Sequence, residues 1–278
     1  MTGKRAGWVA VGGMMLIAAL ADAGAEELPA VPAELKSAGV LRVGSKCDYP
    51  PDGFIDEKGA NAGVEIDLVR QLAAWALGDP AKLEITCVTA ANRIPYLISR
   101  KVDLVVATMG VTEERAKVID FTEPYRWGAG DIMLPKDSPV KTLDELASRT
   151  TVMVKGTIEA AWFDGHLPGA KTLRLDGVSD ALEALRQGRA EAFAHDEALL
   201  IGLVAKNPGY RLLRELYTPV DTAAGVRKGD AAMRDYVGAA IRRMRDEQLF
   251  RAWVDKWVEP GSREVAAREF LEPKPTGR

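Results

Sequence analysis

From Leu41 onward, short runs of apolar and β-branched residues alternate with longer runs in which apolar residues recur every three or four positions. Leu41–Ser45 predicts a strand. Val64–Leu77 predicts a helix with Val64, Leu68, Leu72 and Trp75 on one face. Leu83–Val88 predicts a second strand, and Ile94–Ser99 a short helix that starts near Asn92. Asp103–Thr108 is almost wholly apolar, as expected of a strand covered on both faces of a parallel sheet. This is a βαβαβ unit. The middle of the chain repeats it. Strands are expected at Thr151–Lys155, Thr172–Leu175 and Ala190–Ala194. Helices are expected at Thr157–Phe163, Val178–Gln187 and Glu197–Ala205, the second stopped by Gly188. A last strand, Ala223–Arg227, follows Pro219, and an amphipathic helical pattern runs from Ala231 to Val258. The Gly-, Pro- and Arg-rich stretch after Pro260 reads as loop, with Pro273 and Pro275 opposing a regular helix.

Extended segments near Asp131–Lys136 and Pro219–Arg227 join the two units. A chain that leaves one lobe, builds a second and returns makes a two-strand hinge. Ligands of open α/β sheets sit beyond the C-terminal strand ends, so two lobes facing each other enclose a cleft.

The first residues differ from the rest. Lys4 and Arg5 precede the uncharged run Gly7–Leu20, and Ala23-Gly24-Ala25 supplies a small-x-small site before Glu26-Glu27. That is the layout of a secretory signal peptide, here residues 1–25, and its apolar run is too short to span a bilayer. The protein is therefore expected to be exported, to the periplasm. Export permits a disulfide between Cys47 and Cys87, each at the end of a predicted strand. Two buried free thiols fit the sequence equally well, because it does not set the Cα separation that a bridge needs.

The chain has 278 residues and a net charge of −3, with no basic surplus of the kind a nucleic-acid binder shows. Two cysteines and two histidines argue against a metal centre. There is no G-x-S-x-G or P-loop pattern. No cofactor is expected.

The segment RKVDLVVATMGVTEERAKVIDFTEPY, Arg100–Tyr125, closely resembles the signature of bacterial extracellular solute-binding proteins of family 3, the polar amino-acid receptors of ABC importers. LRVGSKCDYPPDGF with NAGVEIDL, and GRAEAFAHD at Gly188–Asp196, fit the same resemblance, which covers roughly residues 36–258. It implies a two-lobed periplasmic binding protein fold of type II, α/β, with two parallel-type sheets joined by the two-strand hinge. The expected division is lobe 1 at 36–132 with a return segment at 223–258, lobe 2 at 133–222, and a C-terminal tail at 259–278. It also implies an amino-acid ligand, a membrane permease as partner and a monomer with one ligand.

A zwitterionic amino acid needs a cation for its carboxylate and an anion for its ammonium. Arg115 follows a predicted strand and its loop, where its guanidinium could grip a carboxylate through two hydrogen bonds. Thr108, Gly110 and the Gly156-Thr157 turn could add donors, and Thr157 opens a helix. The resemblance assigns the α-ammonium to Asp196, which could equally cap the helix after it. Tyr49 and Phe54 could stack on the ligand or belong to the core. His195 reads as structural rather than as a metal ligand.

Two more cations, Lys46 and Arg93, stand at strand ends facing the same cleft. One α-carboxylate does not need three cations, so an acidic ligand is expected. The Lys-x-Asp after the first strand and the Arg-x-Pro-x-Leu after the second resemble the aspartate- and glutamate-binding branch. If Lys46 or Arg93 instead pairs with a protein carboxylate such as Asp48 or Asp67, a neutral polar amino acid becomes the better ligand. The rival class is a cyclohexadienyl or arogenate dehydratase-like enzyme on the same fold, for which Glu159 and Glu197 are acid candidates by position only.

Overall fold

The computed structural model describes Gly3 and residues 27–272. The expected signal segment, Gly3 apart, and Pro273 and Pro275 lie outside the described residues. In chain order the elements are α1 (Ala33–Ala38), β1 (Leu41–Ser45), β2 (Asp48–Tyr49), β3 (Gly53–Ile55), β4 (Asn61–Ala62), α2 (Val64–Leu77), β5 (Leu83–Cys87), α3 (Arg93–Ile98), β6 (Leu104–Val105), α4 (Glu113–Ala116) and β7 (Ile119–Pro135). Then come β8 (Thr150–Val154), α5 (Ile158–His166), β9 (Lys171–Leu175), α6 (Val178–Arg186), β10 (Ala192–Asp196), α7 (Glu197–Lys206), β11 (Tyr210–Leu212), β12 (Tyr217–Arg227), α8 (Ala231–Asp246), α9 (Leu249–Trp257) and α10 (Arg263–Leu271).

The main sheet is mixed and runs β5-β1-β6-β12-β7-β10-β8-β9, with β11 also on β7; β2, β3 and β4 form a small separate sheet. Each half of the main sheet is parallel at its outer strands: β1 with β5 and β6, and β8 with β9 and β10. Between them β7 and β12 run antiparallel from Arg227 opposite Ile119 to Tyr217 opposite Gly130. The crossing strands are thus longer than the segments expected from sequence. They are antiparallel because one carries the chain out of the first half and the other brings it back.

Two-residue alternation along the strands gives each half of the sheet two apolar faces. In one half, Leu41, Val43 and Leu104 pack with Leu68, Leu72, Tyr236, Val237 and Phe250, while Val105, Ala107 and Met109 pack with Leu97 on the other face. In the other half, Val152, Val154 and Phe193 pack under Leu182, Leu185 and Leu199, while Met153, Ala192 and Ala194 face Phe163 and Leu146. This two-lobed α/β arrangement is the expected fold class, except that the two parallel halves are joined through the antiparallel crossing strands into one mixed sheet rather than standing as two sheets. Cys47 and Cys87 form a disulfide with a Cα separation of 5.5 Å, which resolves the open alternative against free thiols. The pairing of Ser45 with Cys87 puts both cysteines at the same end of neighbouring strands.

Three expectations are corrected. The strand at Asp103–Thr108 shrinks to Leu104–Val105, because the chain turns at Thr108 (φ +47°) and its N–H leaves the ladder for the Glu65 carboxylate at 2.7 Å. The helical run Ala231–Val258 is two helices, broken where Gln248 adopts φ +58°. The stretch after Pro260 is not loop: α10 buries Ala266, Ala267 and Phe270 in the core beside Phe250, on a face the short apolar spacing supplies.

Candidate functional site

Eight of the residues predicted from sequence border one small cavity, about 30 Å³, at the C-terminal ends of the parallel strands: Lys46, Tyr49, Arg93, Thr108, Gly110, Arg115, Thr157 and Asp196. Glu159, His195, Ile158 and Val220 complete the wall. Lys46 directly follows β1, Arg93 opens α3 after β5, and Thr108 to Arg115 follow β6. Thr157 and Glu159 open α5 after β8, and His195 and Asp196 end β10. The two halves of the sheet therefore contribute to opposite sides. They touch where Arg115 donates to the carbonyl of Gly156 at 3.0 Å and where the Val178 N–H donates to Asp48 at 3.1 Å.

The cations are the dominant feature. Arg115 donates to the Gly110 carbonyl at 2.6 Å, and burial lowers its pKa. Arg93 is buried and donates to the carbonyls of Ala107 and Thr108, while its Nε has no partner. Burial, then Arg115, lowers its pKa to about 9. Lys46 is 3% exposed, and burial, then Arg93, brings its ammonium down to about 8. Pairing with Asp48 or Asp67 does not occur. Asp67 accepts from Lys256 at 2.7 Å and pairs with Arg70 at 3.2 Å, and Asp48 accepts from Val178. Among the described residues neither Lys46 nor Arg93 forms an ion pair with a protein carboxylate.

On the opposite wall, Thr157 caps α5: its hydroxyl accepts from the Ala160 N–H and donates to the Val154 carbonyl. The proton and one lone pair of that hydroxyl are thereby used, which leaves its second lone pair and the backbone of the helix start at this turn. Thr108 is likewise committed through its N–H. Asp196 does cap α7, accepting from the Ala198 N–H at 3.1 Å. Tyr49 is buried edge-on to His195, its ring centroid 5.4 Å away. Phe54 does not reach this cavity; it packs edge-on against Trp257. His195 holds the Asp196 N–H with its Nδ1, which places the remaining ring proton on Nε2. Burial, then Lys46 and Arg93, lowers its pKa to about 3, so the neutral ring offers an unpartnered N–H at the cavity wall. Glu197 stands outside the cavity and pairs with Arg214 at 3.2 Å.

Sequence reasoning missed three groups. Glu159 stands out in the sequence only as an acid candidate by position; it is 4% exposed in the cavity wall, and burial, then Asp196, pushes its carboxyl up to about 7. Glu65 is fully buried and accepts from the Thr108 N–H and from the Tyr125 hydroxyl, so it shapes the loop that carries Thr108 and Gly110. Arg126 lies behind the cavity among Asp52 at 3.4 Å, Glu269 at 3.1 Å and Asp196 at 3.6 Å. Charged residues in apolar surroundings were the available signal, but only folding shows which of them are buried together. Among the described residues no group of side chains could hold a metal ion, and no helix is long and apolar enough to cross a membrane.

Comparison with known proteins agrees with this fold. The L-cysteine solute receptor of Neisseria gonorrhoeae superposes with a TM-score of 0.81 at 34% identity, covering 84% of this chain and 95% of that one. A cysteine-binding protein from Campylobacter jejuni gives 0.79 at 34% identity, covering 81% and 92%. In sequence, the ABC transporter glutamine-binding protein of Bacillus subtilis (strain 168) is 30% identical over 198 residues, 71% of this chain and 72% of that protein. The L-cystine-binding protein of Escherichia coli (strain K12) is 27% identical over 227 residues, 81% and 84% of the two chains. These relatives are amino-acid-binding transport proteins rather than enzymes. Their named ligands include glutamine, cystine and cysteine, and do not single out an aspartate and glutamate branch. Residues 41–260 match one family throughout both halves of the sheet, and the chain belongs to it: the bacterial extracellular solute-binding proteins, family 3.

Proposed function

We propose that this protein is the periplasmic receptor of an amino-acid ABC importer and that it captures a small acidic L-amino acid by hinge closure. Arg115 takes the α-carboxylate, Asp196 the α-ammonium, and Lys46 with Arg93 the side-chain carboxylate. Gly110 and the start of α5 at Thr157 lend backbone polarity, Thr108 holds the loop in shape, and Tyr49 with the His195 N–H closes the side wall. The observation that carries this reading is the pair Lys46 and Arg93, buried at the cavity without a protein carboxylate in ion-pair range. Burying charge costs several kcal/mol unless a partner repays it, and a second ligand carboxylate is such a partner. In this reading residues 36–132 and 223–258 form one lobe and 133–222 the other, with β7 and β12 as the hinge. A ligand that touches both walls favours the closed form, because only that form makes both sets of contacts. The closed receptor, a monomer freed of residues 1–25, then delivers its ligand to the membrane permease.

A second reading rests on Glu159. Its carboxyl shares the cavity wall and can balance one of the three cations, which suits a neutral polar side chain. The names of the cysteine- and glutamine-binding relatives favour the same reading. Calorimetric titration of ligand-stripped protein decides between them. Micromolar or tighter binding of glutamate or aspartate with glutamine and cysteine silent supports the acidic ligand. The reverse supports the neutral one, and silence across all L-amino acids overturns both.

A further inference from the structure

The family match ends at residue 260, yet α10 lies just beyond it and sends a buried carboxylate into the centre of the molecule. Glu269 is 2% exposed and reaches Arg126 Nη1 at 3.1 Å. Arg126 comes from β7, is 4% exposed, and stands with its guanidinium over the Phe270 ring, 5.5 Å from the centroid. Its Nη1 also lies 3.4 Å from Asp52, while its other terminal nitrogen, Nη2, has no hydrogen-bond partner and lies 3.6 Å from Asp196 Oδ2. The guanidinium is thus drawn toward α10, and with the carboxylate that borders the ligand cavity it makes a long ion pair but no hydrogen bond.

That arrangement has a consequence for recognition. An arginine in full contact with Asp196 would compete with any cation brought by a ligand, since one carboxylate would serve two partners. Two further carboxyl groups, Asp52 and Glu269, stand at Nη1 of Arg126 and hold it back; burial raises the pKa of both, and the Arg126 charge works against that rise. Burial works against the charge on Arg126, but Asp52, Asp196 and Glu269 outweigh it and raise its pKa, so the group is a permanent cation. Nothing but the balance of its neighbours sets where its charge is spent.

We infer that Glu269 and Arg126 are positioning residues for ammonium recognition: α10 restrains Arg126 so that Asp196 is left available to the ligand's α-ammonium. This rests on the reading of Asp196 given above. Without the Glu269 charge, Arg126 closes on Asp196, and ligands that carry an α-ammonium lose affinity while ligands without one do not.

The test compares an amino acid that binds with its desamino analogue, glutamate with glutarate if the acidic reading holds, by calorimetry on the full mature chain. Glu269→Gln keeps the shape of the side chain and removes its charge. It is expected to raise the Kd of the amino acid about tenfold, a typical size for coupled neighbours, and to leave that of the desamino analogue within about twofold. Equal losses for both ligands, or none for either, overturn the inference. Glu269→Asp keeps the charge but sets it back by one methylene. It is expected to show the same selective loss at smaller size, and it carries the test should Glu269→Gln not fold. Asp196→Asn separates the two levels of the argument. If it leaves the preference for the amino acid over its desamino analogue intact, the ammonium assignment itself falls, whatever Glu269→Gln does.

Discussion

Lys46 makes the acidic reading quantitative. Its ammonium is lowered from 10.5 to about 8, first by burial and then by Arg93. A ligand carboxylate placed against it would restore the ordinary value. At about 1.4 kcal/mol per pKa unit that restoration is worth about 3 kcal/mol of coupling between proton and ligand. The sign follows: below pH about 8 Lys46 is charged in the free protein and affinity is full, and above it binding must first take up a proton. Linkage then gives a Kd that rises about tenfold between about pH 7 and about pH 9, with uptake of close to one proton per ligand at the upper end. Calorimetry in buffers of unlike ionisation enthalpy reads both quantities, and Lys46→Met is expected to abolish both. The same substitution removes a buried charge, so it stabilises the unliganded protein by up to about 3 kcal/mol at pH 7. That gain is fully present below pH 8, shrinks between pH 8 and 10.5, and vanishes above 10.5, where the lysine is neutral in both folded and unfolded chains. A Kd that stays flat from pH 7 to pH 9 in the wild type, or an equal slope in Lys46→Met, would refute the reasoning.

Arg115→Ala should cost about 2–5 kcal/mol of binding, a loss of at least about thirtyfold by titration, because it strips a buried charge partner from the ligand carboxylate. Arg115→Lys should recover only part of it, since an ammonium lacks the fork. At Gly156 the backbone has φ +76°, and an added Cβ would stand 3.0 Å from the backbone of Ala90 and Ala91 across the cleft. Gly156→Ala is therefore expected to oppose closure and weaken binding by roughly tenfold or more, at a cost of about 1 kcal/mol in folding stability read by urea denaturation. The Cys47–Cys87 bridge spans a sequence separation of 40 residues, so its removal in the double Ser variant should lower unfolding free energy by about 4 kcal/mol on the loop-entropy relation. A midpoint unchanged in urea would sink that estimate.

Much of this architecture is written in local pattern. The period-two and period-3.6 runs mark β1, α2, β5, β8, α6 and β10 to within a few residues, because these elements are covered by the faces their own spacing creates. The three cations and Asp196 were legible too, because strand ends of α/β sheets converge. Glu65 and Arg126 were not, since a carboxylate on α2 and an arginine on β7 look like solvated surface charges until distant segments bury them. The Arg126 to Glu269 pair joins residues 143 positions apart, beyond any local signal. The long strand β7 was only half seen, because Pro124 and two glycines at 128 and 130 interrupt the strand pattern. Gly130 is needed there for another reason: a Cβ would stand 2.7 Å from the Tyr217 ring on β12.

The disulfide has a bearing on when the receptor becomes selective. Cys47 follows Lys46 directly, and Cys87 ends the strand that leads to Arg93. The bond therefore ties together the two chain segments that carry mutually repelling cations. Such a bond does not persist in the reducing cytosol and forms on the far side of the inner membrane. On the proposed route of export, a newly made chain passes through the cytosol without the covalent tie between Lys46 and Arg93. In the proposed function, the spacing of these two cations, which would tell one amino acid from another, is then a property acquired on arrival in the periplasm.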